Sequence, residues 1–543
     1  MIPNTKITIG HQAVKISSND HRLKLIVMGL FNHLTYYEMV ANPVTKRYEK
    51  EAKGFYYIFK EDGINFDFII SINNLNDILY LLKTSSLDKT GFSISNRVYK
   101  NNKVRIPLYK EFTPREGQRF YIDNIVKTED VYNMLIDLQP GYGKTLIGYF
   151  SSVELANRVA ILVKPAYLKK WVEDIKKYSP LEDTDYYIIK GGNSLTKLFD
   201  MKKQDRDKIK MYVISTRTIS LYFDNYYSNE FKYKITPYQF MEYCGINNVL
   251  NDESHKEFET VFKILLWMDP ERIIGLSATM DSDKRNMNYF YNLLWPRKNR
   301  LVSLFGIRKF ANMLFYFFSL NDGIFIPHKG FMGYNHIKYE QNILRNTKLL
   351  QDYIKMILFI SEKYYNSRRT DGRKLLILFS TIDMCTMMTN AFTKEYPNLS
   401  VKRYVEKDSY EEMLTGDIVI STNGSTGTAI DIPGLITAIQ TVPISDKQLN
   451  IQALGRLRER PGEEVLYISL YCENLKAHKD NKEKRFHILK DRVVTITTDR
   501  YHEKLGNVGA LNVNAIKTYK DFSNGFQPRH FKKYNPYSNK ARR

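Results

Sequence analysis

Short apolar runs alternate with stretches of helical periodicity between residues 106 and 300. This alternation is typical of βα units, whose strands are buried on both faces of a parallel sheet. The predicted strands of this region lie at residues 135–138, 160–163, 211–214, 248–250 and 273–276. We therefore predict a first α/β lobe over residues 106–300.

The same alternation returns between residues 346 and 490. Its predicted strands lie at residues 375–379, 418–420, 438–442 and 465–468. The pattern predicts a second α/β lobe with a parallel sheet over residues 346–490. Residues 301–345 have a mixed pattern, and we interpret them as a hinge region.

The two ends of the chain have patterns of their own. Residues 6–9 and 13–16 alternate between polar and apolar positions, as strands do, and residues 74–82 carry helical spacing of Leu and Ile. We predict a small α+β N-terminal domain over residues 1–105, ending in a basic connector that also fits a hairpin of a flanking domain. Residues 491–543 form a basic C-terminal extension whose end we interpret as a loose tail.

Composition adds a prediction about partners. The chain has 543 residues, with 81 Lys and Arg against 59 Asp and Glu, so its formal charge is +22. A strongly basic chain favours a polyanion such as nucleic acid, although an A/T-rich genome would also enrich lysine. The three cysteines are far apart, and neither a signal peptide nor a membrane span stands out. We expect an intracellular protein with no membrane partner.

The sequence Pro-Gly-Tyr-Gly-Lys-Thr follows the first predicted strand of the first lobe and precedes a helical pattern. Glycines such as Gly141 and Gly143 let backbone N–H groups curl around an oxyanion at a helix N-terminus. Lys144 would reach the β- and γ-phosphates of a nucleotide, and the Thr145 hydroxyl would hold Mg²⁺. Alone, the pattern also fits an ordinary glycine turn beside a lysine.

A pair of adjacent carboxylates, Asp252 and Glu253, follows the apolar strand at residues 248–250. Asp252 can complete the Mg²⁺ shell, and Glu253 can orient and deprotonate an attacking water. Ser277 and Thr279, after the next strand, could hydrogen-bond to the loop that carries Asp252. A bare Ser-Ala-Thr is also a common helix cap or turn.

Three arginines, Arg456, Arg458 and Arg460, follow Gln452 on one short segment of the second lobe. Phosphoryl transfer spreads charge over the γ-phosphate oxygens, which an arginine stabilises well. The segment alone also fits a solvated basic helix.

Taken together and in this order, the segments resemble a superfamily 2 helicase of the DExH type, with two tandem RecA-like lobes. The resemblance covers about residues 110–470. It identifies Gln118 with the glutamine that reads adenine, Lys144 and Thr145 with motif I, and Asp252 to His255 with motif II. It also matches Val163 to Trp171 with motif Ia, Ser215 to Arg217 with the next strand-contacting motif, Ser277 to Thr279 with motif III, Phe379 to Thr381 with motif IV, Ser421 to Pro433 with motif V, and Gln452 to Arg460 with motif VI.

The resemblance implies ATP and Mg²⁺ as cofactors, with hydrolysis between the two lobes. The residues it assigns to nucleotide binding are Arg115, Gln118, Gly141, Gly143, Lys144, Thr145, Asp252 and Asp431, of which Thr145 and Asp252 hold Mg²⁺. The residues it assigns to catalysis are Lys144, Glu253, Gln452, Arg456, Arg458 and Arg460.

Three positions depart from the family pattern. Leu138 stands where the strict phosphate-loop pattern has glycine, but the family does not hold this position to glycine. Ala429 stands where motif V usually has glycine. Glu459 occupies the usual place of the second motif VI arginine, so Arg456 carries over and the choice between its neighbours as the arginine finger stays open.

In layout, the chain is similar to the phage branch-migration helicases and the poxvirus transcript-release helicases. We expect an ATP-dependent helicase or translocase that remodels branched or duplex nucleic acid, with DNA favoured over RNA, in the cytoplasm or, for a viral protein, the host cytoplasm or virion. Recombination proteins or an RNA polymerase are candidate partners. The alternatives are a transcript-release ATPase, a translocase subunit of a restriction system and a non-enzymatic nucleic-acid clamp. The N-terminal domain fits either duplex binding or docking of a protein partner.

Overall fold

A computed structural model describes most of the chain up to residue 506. The described residues are 4–42, 45, 47–85, 87, 91–99, 103–128, 132–228, 230–278, 280, 282, 285–303, 306, 308–330, 333–406, 408–425, 432–460 and 462–506. The chain divides into two compact units, one comprising Met1–Arg308 with Asp446–Gly455 and the other Lys309–Ser445 with Arg456–Arg543. Each unit contains one of the α/β lobes predicted from the sequence.

The N-terminal domain is a mixed sheet with two helices and a separate hairpin. Its elements are β1 (Thr5–Ile9), β2 (Ala13–Ser18), α1 (His21–Met28), β3 (Thr35–Ala41), β4 (Tyr48–Phe55), β5 (Ile58–Asp62), β6 (Asn65–Ser71), α2 (Leu75–Thr84) and β7 (Phe92–Asn96). The sheet order is β5-β6-β2-β1-β7, with only the β1–β7 pair parallel among the described strands. Strands β3 and β4 form the hairpin. The predicted α+β class is confirmed.

The first lobe is a seven-stranded parallel sheet with helices around it. Its elements are α3 (Glu116–Lys127), β8 (Asn133–Asp137), α4 (Lys144–Glu154), β9 (Val159–Val163), α5 (Leu168–Tyr178), β10 (Tyr186–Ile189), α6 (Gly192–Asp200), α7 (Lys203–Arg206), β11 (Met211–Ser215), α8 (Thr216–Tyr227), α9 (Pro237–Cys244), β12 (Asn248–Asn251), α10 (Phe258–Met268), β13 (Arg272–Ser277), α11 (Arg285–Leu294) and β14 (Arg300–Val302). The sheet order is β10-β11-β9-β12-β13-β8-β14. The five strands predicted from apolar runs lie side by side in its centre.

The second lobe is another seven-stranded parallel sheet. Its part of the chain contains β15 (Asn312–Leu320), β16 (Lys329–Gly330), β17 (Gly333–Tyr334), α12 (His336–Arg345), α13 (Thr347–Tyr364), β18 (Lys374–Phe379), α14 (Ile382–Glu395), β19 (Val401–Tyr404), α15 (Tyr410–Thr415), β20 (Ile418–Thr422), β21 (Leu435–Gln440), α16 (Lys447–Leu454), β22 (Leu466–Cys472), α17 (Lys476–Leu489) and β23 (Ile496–Leu505). The order is β19-β20-β18-β21-β22-β15-β23. Both sheets are RecA-like, as predicted.

The second sheet extends beyond the segment in which the sequence placed it. Strand β15 comes from the predicted hinge region, and β23 comes from the predicted C-terminal extension. Strand β15 pairs in parallel with both β22 and β23, so it lies inside the sheet, and most of its residues are buried. The loose tail predicted at the end of the C-terminal extension lies outside the described residues.

The N-terminal sheet is covered on both faces. One face packs on α1 and α2 through a core that includes Val14, Ile16 and Phe68. The other face shares the core of the first lobe, to which it contributes Ile58 and Ile69. The N-terminal domain is therefore built into the first unit.

Helix α10 lies under this second face and is mostly apolar, apart from Thr260 and a partly exposed ion pair between Glu259 and Lys263. Nine of its eleven residues are buried, including Phe262, Leu266 and Trp267. Beside it, Tyr56 of the N-terminal domain stacks on Phe290, with ring centroids 3.9 Å apart. A helix with so wide an apolar surface must be covered over most of its circumference, and here the two sheets of the first unit cover it, leaving only the Glu259–Lys263 strip partly exposed.

One buried carboxylate fastens the N-terminal domain to the end of α10. Asp269 Oδ1 accepts hydrogen bonds from the backbone N–H groups of Gln12 at 2.8 Å and Ala13 at 3.2 Å. Asp269 Oδ2 accepts from Arg97 Nη1 at 3.2 Å and from the Tyr99 hydroxyl at 2.5 Å. The side chains of Arg97 and Asp269 are 14% and 4% exposed. The connector before the first lobe thus contributes two of the four donors.

No helix among the described residues is long and apolar enough to cross a membrane.

We expect Asp269→Ala to lower the free energy of unfolding of the first unit by about 3–5 kcal/mol, because it leaves buried donors and the Arg97 charge without their acceptor. The three tryptophans, Trp171, Trp267 and Trp295, all lie in this unit, so urea unfolding followed by tryptophan fluorescence measures the loss. Asp224→Ala, at an exposed position of α8, is the control. Equal unfolding midpoints for the two variants would contradict the anchoring role of Asp269.

Candidate nucleotide-binding site

A tight loop between β8 and α4 carries the glycines predicted to bind phosphate. Strand β8 ends at Asp137, and α4 begins at Lys144. Gly141 and Gly143 have φ values of 88° and 79°, in the left-handed region that other residues rarely adopt. A glycine loop of this kind at a helix N-terminus is a backbone form that binds phosphate.

The side chain of Lys144 is fixed by hydrogen bonds to two backbone carbonyl groups of the phosphate loop. Its ammonium donates to the carbonyl oxygens of Leu138 at 2.8 Å and Gln139 at 3.2 Å. The Leu138 side chain is buried in the core, so the departure from glycine at this position does not crowd the loop. Thr145 follows in the first turn of α4 and is partly exposed. The cation and the hydroxyl of motif I are therefore adjacent at the start of one helix.

Gln118 braces the loop from α3. Its Nε2 donates to the carbonyl oxygen of Tyr142 at 3.1 Å, and its Oε1 accepts from the backbone N–H of Arg115 at 3.1 Å. A Cβ atom at Gly143 would clash with the Gln118 amide. The structure thus brings Gln118 to the phosphate loop, while the Arg115 residue is exposed.

The carboxylate of Asp252 is fixed by two neighbouring elements. It directly follows β12, and its backbone N–H donates to Leu162 of β9 at 3.1 Å. The indole Nε1 of Trp171 donates to Asp252 Oδ2 at 2.9 Å, and the Trp171 side chain is fully buried. The position of the predicted Mg²⁺ ligand is therefore set by both β9 and α5.

Glu253 combines burial with an acceptor atom that is not used. The residue is 9% exposed, and its Oε2 accepts no hydrogen bond from any described residue. Burial, and then the charge of Asp252, raise the pKa of the Glu253 carboxyl to about 7, against the opposing effect of Lys144. A carboxylate that titrates near neutrality is suited to act as a general base.

His255 connects motif II to two other segments of the first unit. Its Nδ1 lies 3.0 Å from the Ser277 hydroxyl at the end of β13, and its Nε2 lies 2.7 Å from Gln452 Nε2 on α16. Burial, followed by nearby lysine charges, lowers the pKa of His255 to about 3. The imidazole is therefore neutral, with one ring nitrogen as donor and the other as acceptor. The predicted bond from Ser277 to the motif II loop is present, whereas Thr279 lies outside the described residues.

Helix α16 belongs to the first unit by its contacts, although it follows β21 of the second sheet. Gln452 is 5% exposed, and a Cβ atom at Gly455 would clash with the ring of Pro140 in the phosphate loop. The motif VI glutamine is therefore seated against motifs I and II.

The arginines of motif VI belong to the second unit, which begins again at Arg456. Arg456 is 6% exposed, and Arg458 Nη1 donates to the Leu457 carbonyl at 3.2 Å. Arg460 is partly exposed. Asp431 lies outside the described residues. The roles of these four residues stay predictions.

The residues predicted to hold Mg²⁺ fit that ion when a nucleotide supplies further oxygen atoms. Mg²⁺ in phosphate sites commonly takes one or two carboxylates, substrate phosphates and water, and Thr145 and Asp252 provide such a partial set. Within the described ranges, no group of three or more His, Cys, Asp or Glu side chains could hold a metal ion.

Two residues of α5 belong to the site but were not assigned to it from the sequence. Trp171 shares the buried face of α5 with Leu168 and Ile175, so helical spacing predicts its burial but not its bond to Asp252. Asp174 lies one turn further, and burial raises its pKa, with a smaller contribution from the charge of Asp252. The site therefore includes part of α5, whose first turn carries the end of the predicted motif Ia segment.

Comparison with known families places this site in a helicase-like segment. Residues 111–282 match the family model described as Type III restriction enzyme, res subunit. This match supports the predicted resemblance of the chain to superfamily 2 helicases. The matched segment contains motifs I and II and Gln118. No curated protein matches the chain.

Three solved structures of helicases are similar to the chain at low identity. The Pyrococcus furiosus Hef helicase domain is 14% identical, with a TM-score of 0.39, and the match covers 68% of this chain and 98% of that one. Mss116p bound to ssRNA and AMP-PNP is 13% identical, with a TM-score of 0.47 and coverages of 72% and 74%. Mycobacterium smegmatis helicase Lhr bound to ssDNA and AMP-PNP is 14% identical, with a TM-score of 0.43 and coverages of 70% and 48%.

We expect the buried neutral His255 to make the first unit less stable as the pH falls. Below about pH 6.5 the unfolded chain takes up a proton that folded His255 does not bind, so this residue alone lowers the free energy of unfolding by about 2 kcal/mol between pH 7.5 and pH 5, while the raised pKa of Glu253 acts in the opposite direction. His255→Gln removes this contribution, so the free energy of unfolding of the variant, measured by urea unfolding and tryptophan fluorescence, is expected to fall by about 2 kcal/mol less than that of wild type over this pH range. His33→Gln, at an exposed position of the same unit, is expected to leave the pH dependence unchanged, and equal slopes for wild type and His255→Gln would refute the burial argument.

Proposed function

We propose that this protein is an ATP-dependent nucleic-acid helicase or translocase that remodels branched or duplex DNA. The observation that carries the proposal is the buried connection among the motifs of the first unit. Lys144 sits on the phosphate loop, Glu253 has an unused acceptor and a pKa near neutrality, and His255 joins motif II to Ser277 and Gln452. A simple phosphate-binding turn needs none of these connections.

Each group has a chemical role in this proposal. The glycine loop and Lys144 bind the β- and γ-phosphates, and Mg²⁺, held by Thr145 and Asp252, would neutralise phosphate charge. Glu253 takes the proton of the attacking water. The hydrogen bonds of His255 transmit small displacements of motif II to β13 and α16.

The remaining predicted residues complete the proposed machinery. Gln118 and Arg115 lie at the start of α3 beside the phosphate loop and are assigned to the nucleotide base. Arg456, together with Arg458 or Arg460, stabilises charge on the γ-phosphate during hydrolysis. Asp431 is assigned to nucleotide binding through its match to motif V.

Lys144→Ala tests the nucleotide site directly. We expect ATP hydrolysis to fall at least about 100-fold, because a preorganised cation is lost from the phosphates that carry the developing charge. Hydrolysis is measured by phosphate release with and without nucleic acid. Lys203→Ala, at an exposed position of α7, controls for loss of a lysine, and full activity of Lys144→Ala would show that the site is assigned wrongly.

Glu253→Gln separates nucleotide binding from hydrolysis. The amide keeps the size of the side chain but accepts no proton, so we expect hydrolysis to fall by about 10²–10⁴-fold. Binding of a fluorescent ATP analogue is expected to stay within about threefold of wild type, since the loop and Lys144 are intact. Loss of binding together with hydrolysis would assign Glu253 to substrate binding instead of proton transfer.

The substrate and the alternatives are separated by one set of assays. ATP hydrolysis is compared with single-stranded, duplex, forked and four-way DNA and with RNA, and we expect the largest stimulation by DNA. Selective stimulation in a complex with RNA polymerase would favour transcript release. The matched family description makes a restriction subunit the second candidate, for which DNA cleavage with added partner subunits is the test. Absence of any ATP hydrolysis would favour a non-enzymatic clamp.

A further inference from the structure

A carboxylate in the second unit is completely buried and faces a loop of the parallel sheet. Glu340, on α12, has no exposed surface. Its Oε1 accepts a hydrogen bond from the backbone N–H of Ser380 at 2.8 Å. Its Oε2 accepts from the backbone N–H of Thr381 at 2.8 Å and from the Thr381 hydroxyl at 2.9 Å. A buried carboxylate is tolerated only when donors of this kind surround it.

The three donors all come from the loop that joins β18 to α14. Thr381 is the N-cap of α14, and its side chain also accepts from the Met384 N–H at 3.3 Å. Helix N-termini attract anions, and here a carboxylate of the chain itself occupies the inner side of the loop. Ser380 is partly exposed, and its hydroxyl is not among the groups that Glu340 binds. The loop is thus fixed from the inside, while the Ser380 side chain reaches the surface.

A chain of hydrogen bonds ends close to Glu340, at His336 of the same helix. The backbone N–H of Cys472 donates to His478 Nδ1 at 2.9 Å, so the proton of this ring must lie on Nε2. His478 Nε2 lies 2.6 Å from the Tyr334 hydroxyl, which lies 2.6 Å from His336 Nδ1.

These contacts leave only one direction for the protons. His478 donates to the oxygen of Tyr334, Tyr334 donates to His336 Nδ1, and the remaining N–H of His336 is on Nε2. That atom lies 3.2 Å from Glu340 Oε1. Burial lowers the pKa of His478 well below its usual value, which keeps this ring neutral, as the chain requires. The chain therefore ends with an N–H group close to the carboxylate, although this group makes no hydrogen bond to any described residue.

The braced loop lies where parallel sheets bind their ligands. From β18 the chain proceeds to β19 and β20 on one side of the sheet, and then to β21 on the other side. Such a reversal is a topological switch point, and ligands bind outside the carboxyl ends of the strands there. Nucleic-acid backbones are commonly held by serine or threonine hydroxyls, backbone N–H groups and helix N-termini.

We propose that Glu340 is a positioning residue that holds the β18–α14 loop in the form that contacts the nucleic-acid backbone. This inference rests on the proposed function, and it assigns to α12, a segment outside the family motifs, a part in nucleic-acid binding. Glu340 itself does not touch the nucleic acid. Its carboxylate binds the backbone of Ser380 and Thr381 and so fixes the shape of the loop. In this shape, the Ser380 side chain and the first turn of α14 face a phosphodiester.

The test compares Glu340→Gln with Glu395→Gln, an exposed glutamate at the end of α14. Full-length variants are assayed for ATP hydrolysis as a function of oligothymidylate concentration and, separately, of ATP concentration. We expect Glu340→Gln to raise the half-saturating oligothymidylate concentration about tenfold, in line with the loss of hydrogen bonds to a charged acceptor. The KM for ATP and the hydrolysis rate without nucleic acid are expected to stay within about twofold of wild type. Glu395→Gln should match wild type throughout.

Amide hydrogen exchange distinguishes positioning from simple folding. In Glu340→Gln, we expect faster exchange at the Ser380 and Thr381 amides and unchanged exchange in the central strands β18 and β21. Faster loop exchange with an unchanged half-saturating oligothymidylate concentration would overturn the proposal, because Glu340 would then be a structural cap alone. If wild type itself shows no stimulation by any nucleic acid, the proposed function fails, which is a different result.

Tyr334→Phe keeps the inference testable if Glu340→Gln does not fold. This variant interrupts the proton chain but leaves Glu340 and the loop unchanged. We expect a smaller increase, about threefold, in the half-saturating oligothymidylate concentration, with hydrolysis in the absence of nucleic acid unchanged. If Glu340→Gln does not fold and Tyr334→Phe leaves the half-saturating oligothymidylate concentration unchanged, the positioning role of Glu340 is overturned.

Discussion

A helix whose surface is mostly apolar has to be buried over most of its circumference, and α10, which is polar only at Thr260 and the Glu259–Lys263 pair, imposes this constraint on the first unit. The first lobe covers one side of α10, and the N-terminal sheet covers the other. The same helix begins just after the motif II loop and ends just before Asp269, the carboxylate that binds the N-terminal domain and its connector. The position of motif II and the position of the N-terminal domain therefore depend on one packed element, and a change in either would be felt by the other.

Buried polar groups connect the motifs where apolar packing alone would leave them independent. Inside a protein, a hydrogen bond between buried groups is strong, and leaving one group without its partner is costly. His255 is neutral because burial disfavours its charge, and it therefore needs one donor and one acceptor around it. Ser277 and Gln452 provide these two hydrogen-bond partners. The hydrogen bond between His255 and Gln452 therefore helps to hold α16 against the first lobe. Glu340 follows the same rule in the second unit, where its charge is balanced by loop donors.

The parts of the fold that were predictable from the sequence are those with local signals. Continuous apolar runs identified the central strands β8, β9, β11, β12 and β13, because strands buried on both faces need no polar side chains. The glycines of the phosphate loop were equally predictable, since a left-handed backbone conformation favours glycine. Strand β15 carried a comparable apolar run, at residues 314–318, but the mixed pattern of residues 301–345 around it led to the prediction of a hinge. Its pairing with β22, far along the chain, leaves no local trace in the sequence.

The contacts of the site that were not predicted depend on tertiary neighbours. Spacing along α5 indicates that Trp171 is buried, but nothing in that spacing indicates Asp252 as the acceptor of its indole N–H. In the same way, the sequence around Glu340 indicates only a glutamate on a helix. Its hydrogen bonds to the backbone N–H groups of Ser380 and Thr381 become visible only in the folded structure. Carboxylates are costly to bury, so a buried carboxylate indicates that several hydrogen-bond donors are held in fixed positions around it.

The shared core also changes how the N-terminal domain can be studied. As a fragment, residues 1–105 would expose the face that carries Tyr56, Ile58 and Ile69, which in the whole chain lies against α10 and α11. An exposed apolar face of this kind promotes association and obscures any intrinsic binding of duplex or partner. Binding by this domain is therefore better measured on the intact chain, by comparing exposed side chains of its outer hairpin, such as Tyr48 and Lys50, across a salt series. A phosphate-binding surface loses affinity steeply as salt rises, whereas an apolar docking surface for a protein partner does not.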